Sequence, residues 1–203
     1  MDTADLFGEF KPEPIEVNIL GLEYLSDFLS REQEEGILNH IDQQPWITEL
    51  DRRVQHYGAR YDYKKGNLDR SQIVPKIPSF LNKLVYDLIE ECGLSNAPDQ
   101  LIINEYLPGQ GIFEHVDSPS AFQDTIIMIS LNSTCVMDFI PLKEEYGEKV
   151  SLLLERGSLL KVQDDARYKW KHAIPKRKKD IWQSHEFIRQ RRVSLTFRHI
   201  LNK

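Results

Sequence analysis

The later half of the chain is a succession of short runs rich in β-branched and aromatic residues, each of strand length. Turn sequences such as PGQG, NST and EYGE separate the runs. No helical pattern alternates with them, as a βαβ fold would require, so they favour an antiparallel sandwich or barrel. The runs are Leu101–Tyr106, Thr125–Leu131, Cys135–Phe139, Val150–Leu154, Ser158–Val162 and Val193–Ile200.

The first half of the chain carries two helical patterns. Ser30 and Gln33 fit a capping box, which predicts a helix over 31–43. Apolar residues recur at helical spacing over 79–92, and Gly93 is a natural stop for that second helix. We therefore predict an α+β fold, in which a jelly-roll-like core is buttressed on one sheet by N-terminal helices.

A length of 203 residues suits one domain with a sizeable core. Residues 1–14, which include two prolines and little apolar content, are predicted to be an extended N-terminal arm. Residues 15–203 then form the domain, and Ile15–Leu20 is its expected first strand. The polar segment Val54–Asp69 is expected to be a β-hairpin or a lid.

The charge balance bears on the choice of partner. The chain has 26 basic and 32 acidic residues, so its net charge of −6 does not favour nucleic acid as a ligand. The basic residues are nevertheless clustered, and a local basic face remains open as an alternative to a merely solvated surface. The clusters are Arg52–Arg53, Lys64–Lys65, Lys176–Lys179 and Arg189–Arg192.

Targeting and redox features are those of a chain that stays in a reducing compartment. No apolar run approaches the roughly 20 residues of a membrane span, and the start MDTADLFGEF lacks a secretory pattern. Cys92 and Cys135 lie in apolar contexts and are expected to be buried thiols. We expect a cytoplasmic protein, or a nuclear one in a eukaryote, with no membrane partner.

The candidate metal ligands begin with His115-Val116-Asp117. In a strand, residues two apart share a face, so this pair aims an imidazole and a carboxylate at a common point. His172, near the start of a later strand-like run, supplies a third ligand. Two histidines and one carboxylate make the facial triad that suits non-haem Fe(II). The alternative is a solvent-exposed HVD sequence and an unrelated histidine.

The C-terminal run places Arg192 and Arg198 an even number of residues apart, so both can face the same side of one strand. Ser194 and Thr196 would share that polar face, while the apolar residues between them face the other way. Guanidinium groups bind carboxylates bidentately, so a dicarboxylate is the natural ligand. An amphipathic edge strand with exposed arginines is the alternative.

Asn104 and Tyr106 also lie two apart on a strand, directly before the PGQG turn and His115. An amide and a phenol in that position could donate hydrogen bonds to the carboxylates of a cosubstrate. The alternative makes Tyr106 an ordinary sheet aromatic and Asn104 incidental.

The ordered set N-x-Y-x-PGQGI-x-x-H-x-D, a later single histidine and R-x5-R resembles the AlkB family of nucleic-acid dioxygenases over about 15–200. The stretch from Ile103 to Phe139 is similar in particular to the branch that hydroxylates a modified wobble uridine in tRNA. The resemblance implies a double-stranded β-helix, the jelly-roll core also found in cupins. It also implies Fe(II), 2-oxoglutarate and O2, with iron held by His115, Asp117 and His172.

In the family's chemistry, 2-oxoglutarate is decarboxylated to succinate while a C–H bond of the substrate is hydroxylated. The resemblance implies that Arg192 and Tyr106 hold the distal carboxylate of 2-oxoglutarate. It implies that Asn104 and Arg198 contact the proximal end or brace the metal ligands.

Substrate contacts are expected where family members build a nucleotide-recognition lid, whose aromatics can stack on a flipped base. A surface hairpin with structural tyrosines is the alternative, and Trp170 is equally suited to the core. The candidates are Arg53, His56, Tyr57, Arg60 and Tyr61, with Arg167 and Trp170 as further walls of the pocket.

Pro119 stands two residues after Asp117, where bacterial repair enzymes of the family carry an acidic residue. This departure favours tRNA over repair. The sequence contains neither an RNA-recognition motif nor a methyltransferase, so RNA affinity is expected from the basic clusters or from a partner protein. We expect a monomer. The alternatives are an oxidative demethylase of N-alkylated bases, a protein or small-molecule hydroxylase, and a non-catalytic binding module.

Overall fold

A computed structural model describes residues 17–48, 50–62, 66–69, 71 and 73–201, so the predicted arm over 1–14 lies outside the described residues. The helices are α1 (Arg31–Asp42), α2 (Asn82–Cys92) and α3 (Asp164–Tyr168), with short 3-10 turns at Ser79–Leu81 and Glu144–Tyr146. The strands are β1 (Leu22–Leu25), β2 (Arg53–Tyr57), β3 (Arg60–Asp62), β4 (Asn67–Asp69), β5 (Gln100–Tyr106), β6 (Ile112–His115), β7 (Phe122–Leu131), β8 (Cys135–Pro141), β9 (Val150–Leu154), β10 (Leu159–Val162), β11 (Trp170–Ile174), β12 (Lys179–Trp182), β13 (His185–Ile188) and β14 (Arg192–Ile200).

Two antiparallel sheets face each other. The major sheet has the strand order β1-β10-β7-β14-β5-β2, and the minor sheet has the order β6-β11-β8-β9. Apolar side chains from both sheets, such as Met128 on β7 and Phe139 on β8, pack together between them. The predicted α+β fold with a jelly-roll core is confirmed.

Helices α1 and α2 cover the outer face of the major sheet. Leu38 of α1 and Leu88 of α2 pack there with Leu195 of β14. The capping box at the start of α1 is present, since the Ser30 hydroxyl accepts from the Gln33 backbone N–H and the Gln33 side chain accepts from the Ser30 N–H. Both predicted helices are confirmed. None of the helices in the described part of the chain is long and apolar enough to cross a membrane.

One sequence expectation about the first half of the chain is wrong, and another holds in part. Residues 17–20 are not in a strand; a turn closed by the Leu22 N–H on the Ile19 carbonyl precedes β1. The polar segment Val54–Asp69, expected to be a β-hairpin or a lid, contains the β3–β4 hairpin, but its first strand, β2, is the edge strand of the major sheet.

The chain approaches the end of β11 closely at Gly111, the residue just before β6. An added Cβ on Gly111 would lie 2.1 Å from the Ile174 carbonyl oxygen, which is a backbone atom that cannot turn aside. The glycine therefore permits the pairing of β6 with β11, in which Ile112 is opposite Ile174 and His115 is opposite His172.

We predict that Gly111→Ala lowers the free energy of unfolding by about 1–3 kcal/mol, as overpacking against fixed atoms does. Gly36→Ala is the matched control, because the site in α1 has nothing within 4 Å of the added Cβ. That variant should raise the free energy of unfolding by about 0.5–1 kcal/mol. Urea denaturation measures both; equal effects of the two substitutions would contradict the close approach.

Candidate metal and cosubstrate site

A cavity of about 800 Å³ opens between the two sheets. This volume lies within the range of small-molecule sites in proteins. Its lining brings together residues that are far apart in sequence: Asn104 and Tyr106 from β5, His115 from β6, His172 from β11 and Arg198 from β14. Asp117, just after β6, also lines it.

The two histidines lie side by side. Residues directly opposite in an antiparallel pair point to the same face, and His115 is opposite His172 in the pairing of β6 with β11. Their ring centroids are 4.4 Å apart, with the ring planes tilted by 56°. The Nδ1 atom of His115 lies 2.8 Å from the Phe113 carbonyl oxygen. Since a carbonyl only accepts, Nδ1 carries the proton and Nε2 is left to bind a metal.

Asp117 is fixed on one side and open on the other. Arg198 donates from Nη2 to Oδ1 of Asp117 at 2.8 Å, and Arg167 donates from Nη1 to the Asp117 carbonyl at 2.6 Å. The second carboxylate oxygen, Oδ2, is buried and has no hydrogen-bond partner among the described residues. A buried oxygen without a partner is costly unless a cation or donor completes it.

The protonation states suit metal binding. Burial alone would raise the pKa of Asp117, but Arg198 and the two imidazoles outweigh it and lower the pKa to about 2. Burial and the neighbouring His115 lower the pKa of His172 to about 3. At neutral pH the set therefore holds an ionised carboxylate and a neutral His172 imidazole, as metal ligands must.

In the conformation described, over the ranges the structure covers, no three His, Cys, Asp or Glu side chains are close enough to enclose a metal ion. The donor set nevertheless fits Fe(II). It has two imidazoles, one carboxylate with an unpartnered buried oxygen, and an adjoining cavity for further ligands.

Arg192 lies beside Tyr106, a residue of the cavity wall, and itself lines a small neighbouring pocket. Arg192 is buried; it donates from Nη2 to the Ser130 hydroxyl at 2.7 Å and lies with its guanidinium carbon 5.6 Å from the centre of the Tyr106 ring. Its Nε and Nη1 atoms are buried with no hydrogen-bond partner in the described part of the chain. Burial raises the pKa of Tyr106, so its phenol remains a donor. Donors left over beside a buried guanidinium fit a carboxylate.

Arg52 lines this cavity and was missed as a site residue by sequence reasoning, which selected Arg53 from the same basic pair. Arg52 donates from Nε to Oδ1 of Asn104 at 2.9 Å, and its guanidinium carbon lies 5.7 Å from the Tyr106 ring centre. Arg52 lies in the bend just before β2, and Arg53 is the first residue of that strand. Which of the two lines the cavity depends on how this edge pairs with β5.

Three of the predicted substrate contacts are not among the residues that line the cavity. Arg53 is opposite Glu105 on the other face of β5, and donates to its carboxylate from Nε at 2.5 Å and from Nη2 at 2.7 Å. Tyr57 is buried on the helix side of the major sheet and donates to Gln55. Trp170 packs in the core between the sheets. Their role in substrate binding stays a prediction.

The remaining candidates lie at or near the cavity. Tyr61 on β3 lines it, with its ring centroid 5.8 Å from that of Phe122. His56 is buried on β2 and is opposite Ile102, which lines the cavity. Arg60 starts the β3–β4 hairpin and is half-buried. Arg167 donates a hydrogen bond to the backbone carbonyl of Asp117, which lines the cavity.

Residues 21–198 match the 2OG-Fe(II) oxygenase superfamily. The chain belongs to this superfamily. It is therefore an oxidoreductase of the dioxygenase class, and Fe(II) and 2-oxoglutarate are the cofactor and cosubstrate that membership implies. The described residues would hold both in the cavity between the sheets, with Fe(II) on His115, Asp117 and His172 and with 2-oxoglutarate reaching toward Tyr106.

Several relatives are AlkB homologues, so the AlkB resemblance is confirmed. The chain is 38% identical over 174 residues to tRNA (carboxymethyluridine(34)-5-O)-methyltransferase alkbh8 of Xenopus tropicalis, covering 82% of this chain and 27% of that protein. It is 34% identical to the alkylated DNA repair protein ALKBH8 homolog of Arabidopsis thaliana, covering 92% and 60%. It thus spans only part of these relatives. A mimivirus protein, L905 of Acanthamoeba polyphaga mimivirus, is 35% identical over 92% of this chain and 88% of its own length.

Solved structures show the same fold at low identity. OsALKBH1 superposes with a TM-score of 0.69 at 18% identity, covering 91% of this chain and 100% of that chain. A 2OG-Fe(II) oxygenase family oxidoreductase from Burkholderia pseudomallei gives a TM-score of 0.60 at 13% identity, covering 88% and 84%.

We predict that His115→Ala abolishes binding of Mn(II), a redox-stable substitute for Fe(II), because one of the three ligands is lost. The fold should survive, since His115 is only half-buried at the open end of the cavity. Isothermal titration calorimetry measures the binding. The matched control is His185→Ala, at an exposed histidine on β13, which should bind Mn(II) like the unchanged protein. Retained Mn(II) affinity in His115→Ala would contradict the ligand assignment.

Proposed function

We propose that this chain hydroxylates a C–H bond of a modified base in tRNA, with iron held by His115, Asp117 and His172. The observation that carries the proposal is the 38% identity to a protein whose name specifies uridine 34 of tRNA. The activity in the name of that relative is a methyl transfer, and the chain aligns with only 27% of that protein. What the two proteins share is the oxygenase part, so the nucleoside is carried over and the methyl transfer is not.

When bound, Fe(II) with 2-oxoglutarate and O2 supplies the oxidation of the C–H bond, with succinate and CO2 as coproducts. The protein residues bind, orient and exclude water. Arg192 and Tyr106 hold the distal carboxylate of the cosubstrate, and Asn104 orients its proximal end. Arg198 keeps the Asp117 carboxylate ionised and in place through the bond to Oδ1. Apolar walls, including Met128 and Met137, keep bulk water from the reacting centre.

The mouth of the cavity suits a nucleobase. Phe113 on β6 lines it, yet its side chain is 79% exposed, which is unusual for a phenylalanine with no external contact. The Lys176 ammonium lies 5.1 Å from the centre of the Phe113 ring. An exposed aromatic beside a cation can stack on a base and meet a phosphate, and Tyr61 lies on the same rim.

Electrostatic attraction of RNA is weak in this chain. Lys176 pairs with Asp51 at 3.0 Å, and Lys171 pairs with Glu114 at 3.0 Å, so these rim cations are largely neutralised. Lys64 and Lys65 lie outside the described residues. With a net charge of −6, tRNA affinity then depends on stacking in the cavity and on a partner protein that supplies further RNA contacts. We propose that the chain itself is a monomer.

Pro119 supports a base modification other than repair. Bacterial repair enzymes of the AlkB family carry an acidic residue at that position. A proline side chain has no group that can form a hydrogen bond with a damaged base. The second candidate function is oxidative demethylation. It is favoured by 29% identity to the "Probable RNA/DNA demethylase ALKBH6" of Danio rerio, of which the chain covers 84%. Hydroxylation of an N-methyl group gives an unstable product that releases formaldehyde, whereas hydroxylation at another carbon leaves a stable alcohol.

Nucleoside mass spectrometry tests the two functions against each other. Total tRNA is incubated with the protein, Fe(II), ascorbate and 2-oxoglutarate, with His115→Ala as the inactive control. We expect one modified uridine to gain one oxygen atom, in step with succinate formation and without formaldehyde. Formaldehyde release with loss of an N-methylated base would favour demethylation instead. Succinate formation that no nucleic acid stimulates would contradict both.

We predict that Phe113→Ala weakens binding of a single-stranded RNA oligonucleotide about tenfold, because stacking contributes about 1–3 kcal/mol per base. Fluorescence anisotropy measures the dissociation constant. Ile181→Ala is the matched control: Ile181 is an exposed apolar residue, 65% accessible, on the β12–β13 hairpin. Equal affinities of the two variants would rule out the stacking role of Phe113, whereas Phe113→Tyr should retain it.

A further inference from the structure

Two adjacent arginines at the start of β2 have different partners. Arg53 is opposite Glu105 in the pairing of β2 with β5, and Arg191 donates to the same carboxylate from Nε at 2.7 Å. Arg52 lies in the bend just before β2, lines the cavity and contacts Asn104. The two residues thus have the same chemistry and nearly the same backbone position, but only Arg52 also lines the cavity.

The bond from Arg52 decides which way the Asn104 amide is turned. A guanidinium only donates, so the atom it contacts at 2.9 Å must be the amide oxygen. The NH2 group of Asn104 is then directed away from Arg52. Asn104 is 7% exposed and lines the cavity. If its amide were rotated by half a turn, the oxygen would face an anionic ligand and repel its carboxylate. In the observed orientation the NH2 group is the one that can donate to that carboxylate.

Arg52 also bears on Tyr106, the next residue of β5 on the same face. The guanidinium carbons of Arg52 and Arg192 lie 5.7 and 5.6 Å from the centre of its ring. Cation–π contacts of this kind favour one ring position. The guanidinium groups of Arg52 and Arg192 therefore both restrict the position of the Tyr106 ring.

The charges in the cavity agree with this arrangement. Arg198 is matched by Asp117 through a bond at 2.8 Å. A dicarboxylate brings two further negative charges into the cavity. The guanidinium groups of Arg192 and Arg52 both lie beside the Tyr106 ring, where the distal carboxylate is proposed to bind.

We propose that Arg52 is a positioning residue for 2-oxoglutarate: by holding the Asn104 amide and the Tyr106 ring, it presents their donors to the cosubstrate. The proposal rests on the cosubstrate role proposed above for Asn104 and Tyr106. Arg52 acts through these two neighbours, so its effect depends on their presence.

The test is the binding of 2-oxoglutarate to the 203-residue protein loaded with Mn(II), measured by calorimetry without turnover. Arg52→Gln should bind 2-oxoglutarate about tenfold more weakly, which is the scale of a lost hydrogen bond from a charged donor. Arg53→Gln is the matched control and should bind within about twofold of the unchanged protein, since Arg191 still satisfies Glu105. Arg52→Lys keeps the charge without the Nε donor and should recover only part of the affinity.

A double-mutant cycle separates positioning from direct contact. If Arg52 acts through Asn104, then Arg52→Gln should weaken binding much less in an Asn104→Ala background than in the unchanged protein. Additive effects would overturn the positioning role. Thermal melting of each apo variant shows whether the fold is kept, and Arg52→Lys serves as the second variant if Arg52→Gln unfolds.

The outcomes also separate this proposal from the one on which it rests. If the unchanged Mn(II)-loaded protein does not bind 2-oxoglutarate, the cosubstrate site itself is wrong and the role of Arg52 fails with it. If the unchanged protein binds normally and Arg52→Gln binds as tightly as Arg53→Gln, only the role of Arg52 is overturned.

Discussion

The alternation of side chains along β14 is the constraint on which both the fold and the candidate site depend. This strand pairs with β5 on one side and with β7 on the other, so its backbone is fixed on both edges. Leu195 and its apolar neighbours face the helices, where they join the packed layer with α1 and α2. The intervening residues must then face the opposite sheet, and they carry Arg192 and Arg198 into the interior. Packing on one face thereby holds two buried cations on the other.

Buried cations are unfavourable unless they are paired, and the two arginines meet this requirement differently. Arg198 is paired within the protein, because Asp117 accepts from it at 2.8 Å. That pair links β14, one of the two central strands of the major sheet, to the segment after β6 that carries a proposed metal ligand. Arg192 has only one hydroxyl as a hydrogen-bond partner and keeps buried donors unused within the described residues. The first arginine therefore supports the carboxylate of a proposed metal ligand, and the second has donors left over for the proposed anionic cosubstrate.

Features that depend on local spacing were predictable from the sequence. The capping box at Ser30, the strand-length runs and the faces of β14 follow from periodicities that act within one element. Features that depend on strand pairing were not. Arg52 and Arg53 cannot be told apart until β2 is paired with β5, and Tyr57 is assigned to the helix side by the same register. The nearness of His115 and His172 required the pairing of β6 with β11, which no local pattern in either strand specifies; the family resemblance, with its ordered set of motifs, supplied that link.

The central claim is that one cavity holds Fe(II) at its β6–β11 end and 2-oxoglutarate across to Arg192. A crystal structure of the protein with Mn(II) and 2-oxoglutarate, grown without oxygen, tests this most directly. The account predicts a single ion bound by His115, Asp117 and His172, with the distal carboxylate of 2-oxoglutarate on Arg192 and Tyr106. An ion on other residues, or a cosubstrate bound outside this cavity, would contradict it.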